Sequence, residues 1–268
     1  MLSIITIESF NEVIFDKFDP STCVAFDLDD TIFTQVNRIM RDKNFEQRKE
    51  FLRRILEAGR SSKVDLVHST TKYQLVKDNV TNHINSLNRR NVETIGLTAR
   101  RTGKATSTQD LTVEEYTETI LYTLNVQFNP IHISDCSINM SSTSANDSRY
   151  EQFKYSNGVL VSNGVIFTNN YNKGFVLNEI FNVFNFTPKT FVMFDDKLSN
   201  LESISDIIKV YNAKHNLSIN FLGYHYIGAD LLDNTVDSNI VRIQEEHILQ
   251  NNSCMLTDSE AYTLYHST

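Results

Sequence analysis

The stretch VAFDLDDTIF (24–33) places three carboxylates directly after a run of apolar residues. Like charges this close repel one another, and a carboxylate beside an apolar core costs free energy unless something compensates it. Because side chains alternate along a strand, Asp27 and Asp29 begin on the same side of the chain. The stretch therefore predicts a buried strand that carries acidic groups to a sheet edge, where a cation can neutralise them.

Five short apolar runs, including the start of this stretch, are predicted to be strands. They are continuous rather than alternating, which indicates strands covered on both faces, as in a parallel sheet flanked by helices. The runs are VAFDL (24–28), TIGLT (94–98), GVIFT (164–168), TFVMF (190–194) and INFLGYHY (219–226). Helical segments are predicted between them, at 10–18, 112–124, 173–184 and 199–214. The fold class predicted is α/β, with a Rossmann-like parallel sheet flanked by helices.

One long insertion interrupts this βα pattern. Residues 34–91 show helical periodicity and no clear strand, so they are predicted to form a mainly helical cap on a core of residues 1–33 and 92–268. The charged positions in this cap suggest a solvated face or, alternatively, a basic rim that attracts a phosphorylated partner; they are Arg48, Lys49, Arg53 and Arg54. The segment SSTSANDS (141–148) is predicted to be a mobile surface loop.

Composition limits the classes of function. The chain has 268 residues, 40% of them hydrophobic, and a formal net charge of −8, which argues against a general nucleic-acid binder. No run is long enough to suggest a transmembrane segment. The cysteines Cys23, Cys136 and Cys254 form no paired motif, so a reducing, cytoplasm-like compartment is predicted rather than a disulfide framework or a zinc site.

Polar residues follow several of the predicted strands where each strand ends. Asp27 and Asp29 close the first run, Thr98 the second and Asp195–Asp196 the fourth, while Lys173 opens a helix after the third. Ligands of open α/β sheets bind at the carboxyl ends of the strands, so these side chains are expected to meet. Up to four clustered carboxylates need a cation, and hard oxygen ligands in an open site suit Mg²⁺.

The same residues provide the chemistry of phosphoryl transfer. The Thr98 hydroxyl and the Lys173 ammonium fit the oxygens of a phosphoryl group. One carboxylate can attack phosphorus, and a second carboxyl group two residues later can move the proton. Lys197 and Lys154 are alternative candidates for the cation. Arg100, beside Arg101, is a candidate substrate-binding residue that could instead pair with the carboxylates or have a structural role.

The segments FDLDDTIF, GLTAR, NKG and VMFDDK resemble the four motifs of the haloacid dehalogenase (HAD) superfamily. By that resemblance Asp27 is the nucleophile, Asp29 the general acid/base, and Thr98 and Lys173 bind phosphate. Asp196 ligates the metal directly, Asp195 supports it through water, and Asp29 contributes its backbone carbonyl. Asp30 is more simply a local structural acid, and His225 a core or edge residue. The resemblance implies a phosphatase or phosphotransferase.

A narrower resemblance covers almost the whole chain. Its segments GLTAR, FVMFDDK, LGYHY and LTDSEA are similar to a HAD branch of intracellular bacterial pathogens, some of whose neighbours are secreted effectors that dephosphorylate host proteins, including at phosphotyrosine. This implies a phosphoprotein substrate and delivery into a host cell. Two alternatives stay open: a small-molecule or nucleotide phosphatase, and a catalytically silent interaction protein on the same fold.

Overall fold

The structure is a computed structural model that describes residues 2–58, 61–77, 79–105, 111–140, 158–250 and 254–267. Its strands are β1 (Leu2–Ile7), β2 (Thr22–Phe26), β3 (Phe33–Gln35), β4 (Tyr73–Leu75), β5 (Glu93–Thr98), β6 (Cys136–Ile138), β7 (Val159–Ser162), β8 (Val165–Phe167), β9 (Thr190–Asp195) and β10 (Asn220–Tyr226). Its α-helices are α1 (Phe45–Glu57), α2 (Ser61–Thr70), α3 (Val80–Arg89), α4 (Val113–Thr123), α5 (Lys173–Phe184), α6 (Leu198–His215), α7 (Ser238–Gln250) and α8 (Asp258–Ser267). The predicted loop at 141–148 and the candidate Lys154 lie outside the described residues.

Eight of these strands form one central sheet in the order β1-β10-β9-β2-β5-β8-β7-β6. The six strands from β1 to β8 in this order are parallel, while β7 and β6 extend the sheet as antiparallel neighbours. The five predicted strands correspond to β2, β5, β8, β9 and β10. The predicted α/β class is therefore confirmed, with β2 near the middle of the sheet.

Both faces of the sheet are covered, as the continuous apolar runs predict. One face of β2 packs Cys23 and Ala25 with buried residues of α5 and α6. The other packs Val24 and Phe26 with buried residues of α3 and α4. Because alternate residues of β2 are buried on opposite faces, neither side of the strand faces solvent. The polar residues that follow Phe26 therefore lie at the end of a fully buried strand.

The segment before β2 differs from its prediction. A helix was expected over 10–18, but the chain forms two 3₁₀ turns, Phe10–Glu12 and Phe15–Lys17. Val13 between them is extended, with φ −101° and ψ 130°. Phe10 and Phe15 are both buried against Phe194. Tertiary packing of the aromatic rings thus determines the local backbone here.

The insertion contains more than helices. The short strands β3, where the insertion begins, and β4, between α2 and α3, pair antiparallel, although the sequence predicted no strand there. Helices α1 and α2 pack against helix α7 in a separate apolar cluster, which contains Ile39, Met40, Phe51, Ile55, Val67, Val241, Ile248 and Met255. Helix α3, by contrast, buries its apolar face in the sheet core. In the described residues, no helix combines the length and apolar character needed to cross a bilayer.

Candidate active site

The strand register brings the predicted site residues to one edge of the sheet. Phe26 of β2 pairs with Phe194 of β9 on one side and with Gly96 of β5 on the other. The Asp27 backbone N–H continues this ladder and donates to the Phe194 carbonyl at 2.8 Å. Asp27 therefore lies level with Asp195, and Thr98 ends β5 at the same edge.

Three carboxylates form the centre of the site. One carboxylate oxygen from each of Asp27, Asp195 and Asp196 lies within 4.8 Å of the other two. The Lys173 ammonium contacts two of them, at 2.8 Å from Asp27 Oδ1 and 2.7 Å from Asp195 Oδ2. Lys173 is only 2% exposed, so this pairing is shielded from water. One ammonium leaves two negative charges of the three uncompensated, which matches a divalent cation.

The two acidic residues after β9 have different surroundings. Asp195 is fully buried and accepts hydrogen bonds from the Lys197 backbone N–H, Asn200 Nδ2 and Lys173. Asp196 Oδ1 is also buried, yet it has no hydrogen-bond partner among the described residues. A buried, unpartnered carboxylate oxygen beside two other carboxylates is a fitting ligand atom for Mg²⁺. This difference supports the prediction of Asp196 as the direct ligand and Asp195 as its support.

The pKa values of the charged groups in the cluster reflect the same excess of negative charge. The pKa of Asp27 is raised to about 6, mainly by burial. The Lys173 ammonium lowers this pKa, and the Asp195 charge raises it. Burial and the charges of Asp27 and Asp195 raise the pKa of Asp196 to about 8. Lys173 has a pKa above its ordinary value, because its two carboxylate partners outweigh the effect of burial. The cluster therefore retains protons unless a cation replaces them.

Asp29 is held by Arg100. The guanidinium Nε and Nη2 donate to the two oxygens of Asp29, each at 2.8 Å, and Nη1 donates to Thr117 Oγ1 at 3.0 Å. The same guanidinium lies 5.0 Å and 5.4 Å from the ring centres of Phe33 and Tyr73. Burial raises the pKa of Asp29, but Arg100 outweighs it and lowers the net pKa below its ordinary value. Of the three options left open for Arg100, the structure shows pairing with a carboxylate.

Three further predicted residues, Thr98, Asp30 and Lys197, lie outside the carboxylate cluster. Thr98 is 1% exposed, and its hydroxyl accepts from the Arg100 backbone N–H at 3.2 Å. Asp30 has a left-handed backbone (φ 56°) and accepts from Thr34 Oγ1 at 2.6 Å, which fits a structural acid. Lys197 is 58% exposed and lies 3.8 Å from Asp42, away from the buried pairing that Lys173 makes.

The charged face of the insertion is largely neutralised. Arg53 pairs with Glu50 and Glu57, and Arg54 pairs with Glu245 of α7. Arg48 pairs with Asp42 and also donates to the Met40 carbonyl. These pairings favour the interpretation of a solvated face over that of a basic rim.

Two residues of the site were missed by the sequence reading. Asn200 donates to both oxygens of Asp195, and His225 Nε2 lies 3.0 Å from the Asp196 carbonyl oxygen. Asn200 lies in the first turn of α6, directly after the acidic pair, and from this position its side chain can contact Asp195. The short spacing between Asp195 and Asn200 is the sequence feature that could have predicted this contact. His225 was predicted as an edge or core residue, and its half-buried ring on β10 fixes the backbone of the metal-ligand candidate.

Comparisons with known proteins place the chain in a family. A family model described as "Protein of unknown function (DUF2608)" matches residues 4–261. The chain belongs to this family. It is also 23% identical over 260 residues to an uncharacterized protein of Rickettsia prowazekii (strain Madrid E), covering 92% of this chain and 84% of that protein. No solved structure shows a significant match to the chain.

Metal binding by this DUF2608 chain can be measured without an activity assay. We expect Mg²⁺ at 100 times its Kd to raise the Tm by about 5–10 °C, because the ion binds only the folded carboxylate cluster. Asp196→Asn should remove most of this shift. The matched control Asp206→Asn alters an exposed carboxylate of α6 and should keep it. An equal shift in both variants would show that the ion binds elsewhere.

The pH dependence follows from the raised pKa of Asp196. A folded-state pKa of about 8, against an ordinary value of 3.8, means that the metal-free fold holds a proton that the unfolded chain releases. The stability that this proton contributes is therefore lost as the pH rises towards 8. Mg²⁺ must displace the proton, so its affinity should increase from pH 6 to 8 and then level off. Calorimetric titrations at pH 6, 7, 8 and 9 test this, and an affinity independent of pH would contradict it.

Proposed function

We propose that the protein is a Mg²⁺-dependent phosphomonoesterase that transfers the phosphoryl group first to Asp27 and then to water. The observation that carries this proposal is the cluster of Asp27, Asp195 and Asp196, in which buried Lys173 pairs with the first two and one Asp196 oxygen has no hydrogen-bond partner among the described residues. Phosphoryl transfer depends on positioning and charge neutralisation, which this cluster supplies. The resemblance to the four HAD motifs supports the same reaction.

Asp27 is positioned to attack phosphorus. Its Oδ1 accepts from the Leu28 backbone N–H at 2.8 Å and pairs with Lys173. Among the described residues Oδ2 has no such contact, so it is the atom available for attack. As the bond from Oδ2 to phosphorus forms, the bond from phosphorus to the ester oxygen breaks. The leaving oxygen takes a proton from Asp29.

Water completes the reaction by attacking phosphorus, which releases phosphate and restores the Asp27 carboxylate. Arg100 keeps Asp29 ionised in the substrate-free protein, the form that accepts the proton of this water. The first step needs a proton on Asp29. An approaching phosphate dianion carries the same sign of charge as the Asp29 carboxylate, so it raises the pKa of Asp29 and favours the protonated form. Lys173 and the Thr98 hydroxyl are the proposed phosphate ligands. Asp27, Asp196 and Asp195 would hold Mg²⁺, which supplies charge neutralisation.

The direct test is phosphate release from an aryl phosphate with Mg²⁺ and with chelator. Mg²⁺-dependent release supports the proposal, and release that persists in chelator contradicts it. Substrate class is then settled with a panel of phosphopeptides, sugar phosphates and nucleotides. The resemblance to effector phosphatases supports a phosphoprotein, with phosphotyrosine first, and delivery into a host cell; a preference for sugar phosphates or nucleotides would favour the alternative.

Arg100 should affect activity through Asp29. Arg100→Lys keeps a positive charge but loses the two parallel hydrogen bonds and the planar contact with Phe33 and Tyr73. We expect phosphate release to fall about 100-fold because Asp29 is no longer held in place. Arg242→Lys, which alters an exposed pair with Glu246, is the matched control and should retain full activity. Activity of Arg100→Lys within twofold of this control would exclude the positioning role.

A further inference from the structure

One edge of the central sheet is long and carries none of the usual protection. Strand β1 (Leu2–Ile7) pairs with β10 on one side, and none of the described strands pairs with its other side. All of its residues match β10 without a bulge, and its sequence, LSIITI, contains no charged residue and no proline. Ile5 is 46% exposed, and Thr6 is exposed as well. A free strand edge of this kind is a template for another strand.

The opposite edge of the sheet differs. Its outer strand β6 has only three residues, Cys136–Ile138, and the charged Asp135 comes directly before it. Short edge strands and edge charges both prevent the sheets of separate molecules from joining. Strand β1 has neither feature, so its edge is suited to a partner strand.

The backbone groups that face outward from β1 follow from its pairing. The Ile227 N–H, directly after β10, donates to the Ile7 carbonyl at 3.0 Å, so the polar backbone groups of Ile7 face β10. Successive residues of a strand point their N–H and C=O groups to alternate sides. Three residues of β1 therefore direct both groups outward: Leu2, Ile4 and Thr6.

Two copies of β1 are complementary in this geometry. In an antiparallel pair about a two-fold axis at Ile4, this residue lies opposite its own copy and Leu2 lies opposite Thr6. Each outward residue then exchanges two hydrogen bonds with the residue that it faces. The side chains of Leu2 and Ile4 already pack on the apolar cluster beneath α6, and the pairing extends this apolar surface.

The absence of charge from β1 favours a second copy of this chain as the occupant. Like charges directly opposite each other destabilise a strand pair, and the sequence LSIITI brings none to the two-fold axis. The strand of a different protein is selected largely through complementary charges, and β1 offers none.

We propose that β1 is the interface of a symmetric dimer, in which the β1 strands of two chains join their sheets into one continuous sheet. Because the two strands run antiparallel, the carboxyl ends of the two sheets point in opposite directions. The two carboxylate clusters thus face opposite ways. This interface is independent of the proposed reaction.

The mass of the protein in solution tests this interface. Sedimentation equilibrium over a wide range of concentration should give twice the mass of one chain. Thr6→Pro removes an outward N–H and spares the donors to β10, so it should weaken the dimer about 100-fold. The matched control Thr6→Val loses the same hydroxyl but keeps the N–H, so it should stay dimeric. Circular dichroism and the Tm check that both variants are folded.

A charge exchange at Ile4 identifies the occupant. Ile4→Lys and Ile4→Glu each place like charges opposite each other across the axis, so each variant alone should be monomeric. An equimolar mixture should form a mixed dimer, because the ammonium and the carboxylate then face each other. This recovery requires that position 4 meets position 4 of another copy, and it tests the interface even if Thr6→Pro does not fold.

The inference is overturned by any one of three results. A wild-type chain that stays monomeric throughout would leave the β1 edge to a different protein. A dimer that persists in folded Thr6→Pro as in Thr6→Val would place the contact elsewhere. Failure of the two Ile4 variants, both folded, to form a mixed dimer would exclude pairing about this axis.

Discussion

Asp27→Asn is expected to abolish phosphate release, with a fall in kcat on the order of 10⁴-fold, since losing a nucleophile removes the covalent step itself. The amide has the shape of the carboxylate and can still accept from the Leu28 N–H. Because burial and the Asp195 charge already raise the pKa of Asp27, removing its charge should not destabilise the metal-free fold. A malachite-green assay of released phosphate and a thermal melt of the same samples measure both effects.

The control for this variant is Asp206→Asn on α6, where the carboxylate is 74% exposed and lies 2.9 Å from Lys209 Nζ. It should keep full activity. If Asp27→Asn retained more than a tenth of wild-type activity with an unchanged Tm, Asp27 would not be the nucleophile. A fall in activity accompanied by a large fall in Tm would instead point to a structural role.

Lys173→Met is expected to produce the largest loss of stability. Lys173 is the buried cation between Asp27 and Asp195, and its removal leaves the carboxylates without their shared partner. Breaking a buried ion pair by deleting one side costs about 3–5 kcal/mol of unfolding free energy. Urea denaturation in chelator at pH 7 measures this loss. Mg²⁺ should restore part of it, because the ion neutralises the same carboxylates.

Lys209→Met serves as the matched control, since Lys209 is 55% exposed and pairs with the exposed Asp206. Its unfolding free energy should change by less than about 0.5 kcal/mol. Equal stability of Lys173→Met and Lys209→Met would mean that the buried pairing contributes nothing. A loss in Lys173→Met that Mg²⁺ does not reduce would separate Lys173 from the metal site.

The meeting of Asp27, Thr98, Lys173 and Asp195 could be predicted from sequence because it follows from topology. In a parallel sheet every strand of this kind ends at the same edge, so polar residues that close successive strands converge whatever the length between them. The register of β2 with β5 and β9 bears this out. The resemblance to the HAD motifs also implied different roles for Asp196 and Asp195, which fits the Asp196 oxygen that has no hydrogen-bond partner among the described residues.

The pairings around the site could not be predicted in the same way. Arg100 and Asp29 are 71 residues apart, and their bidentate contact depends on Phe33 and Tyr73 of the small β3-β4 pair. Strands of three residues are too short to show a period in the sequence. The packing of α7 on the insertion, with Arg54 reaching Glu245, likewise depends on tertiary contact between distant segments.

Transfer of the phosphoryl group to Asp27 can be detected by trapping the covalent intermediate. The protein is mixed with an aryl phosphate and Mg²⁺, quenched in acid within milliseconds and digested for mass spectrometry, with Asp29→Asn included to slow the water step. We expect a phosphoryl group on the peptide that contains Asp27, and none in chelator or in Asp27→Asn. Steady release of phosphate with no phosphoryl group on that peptide, or with one on another residue, would contradict it.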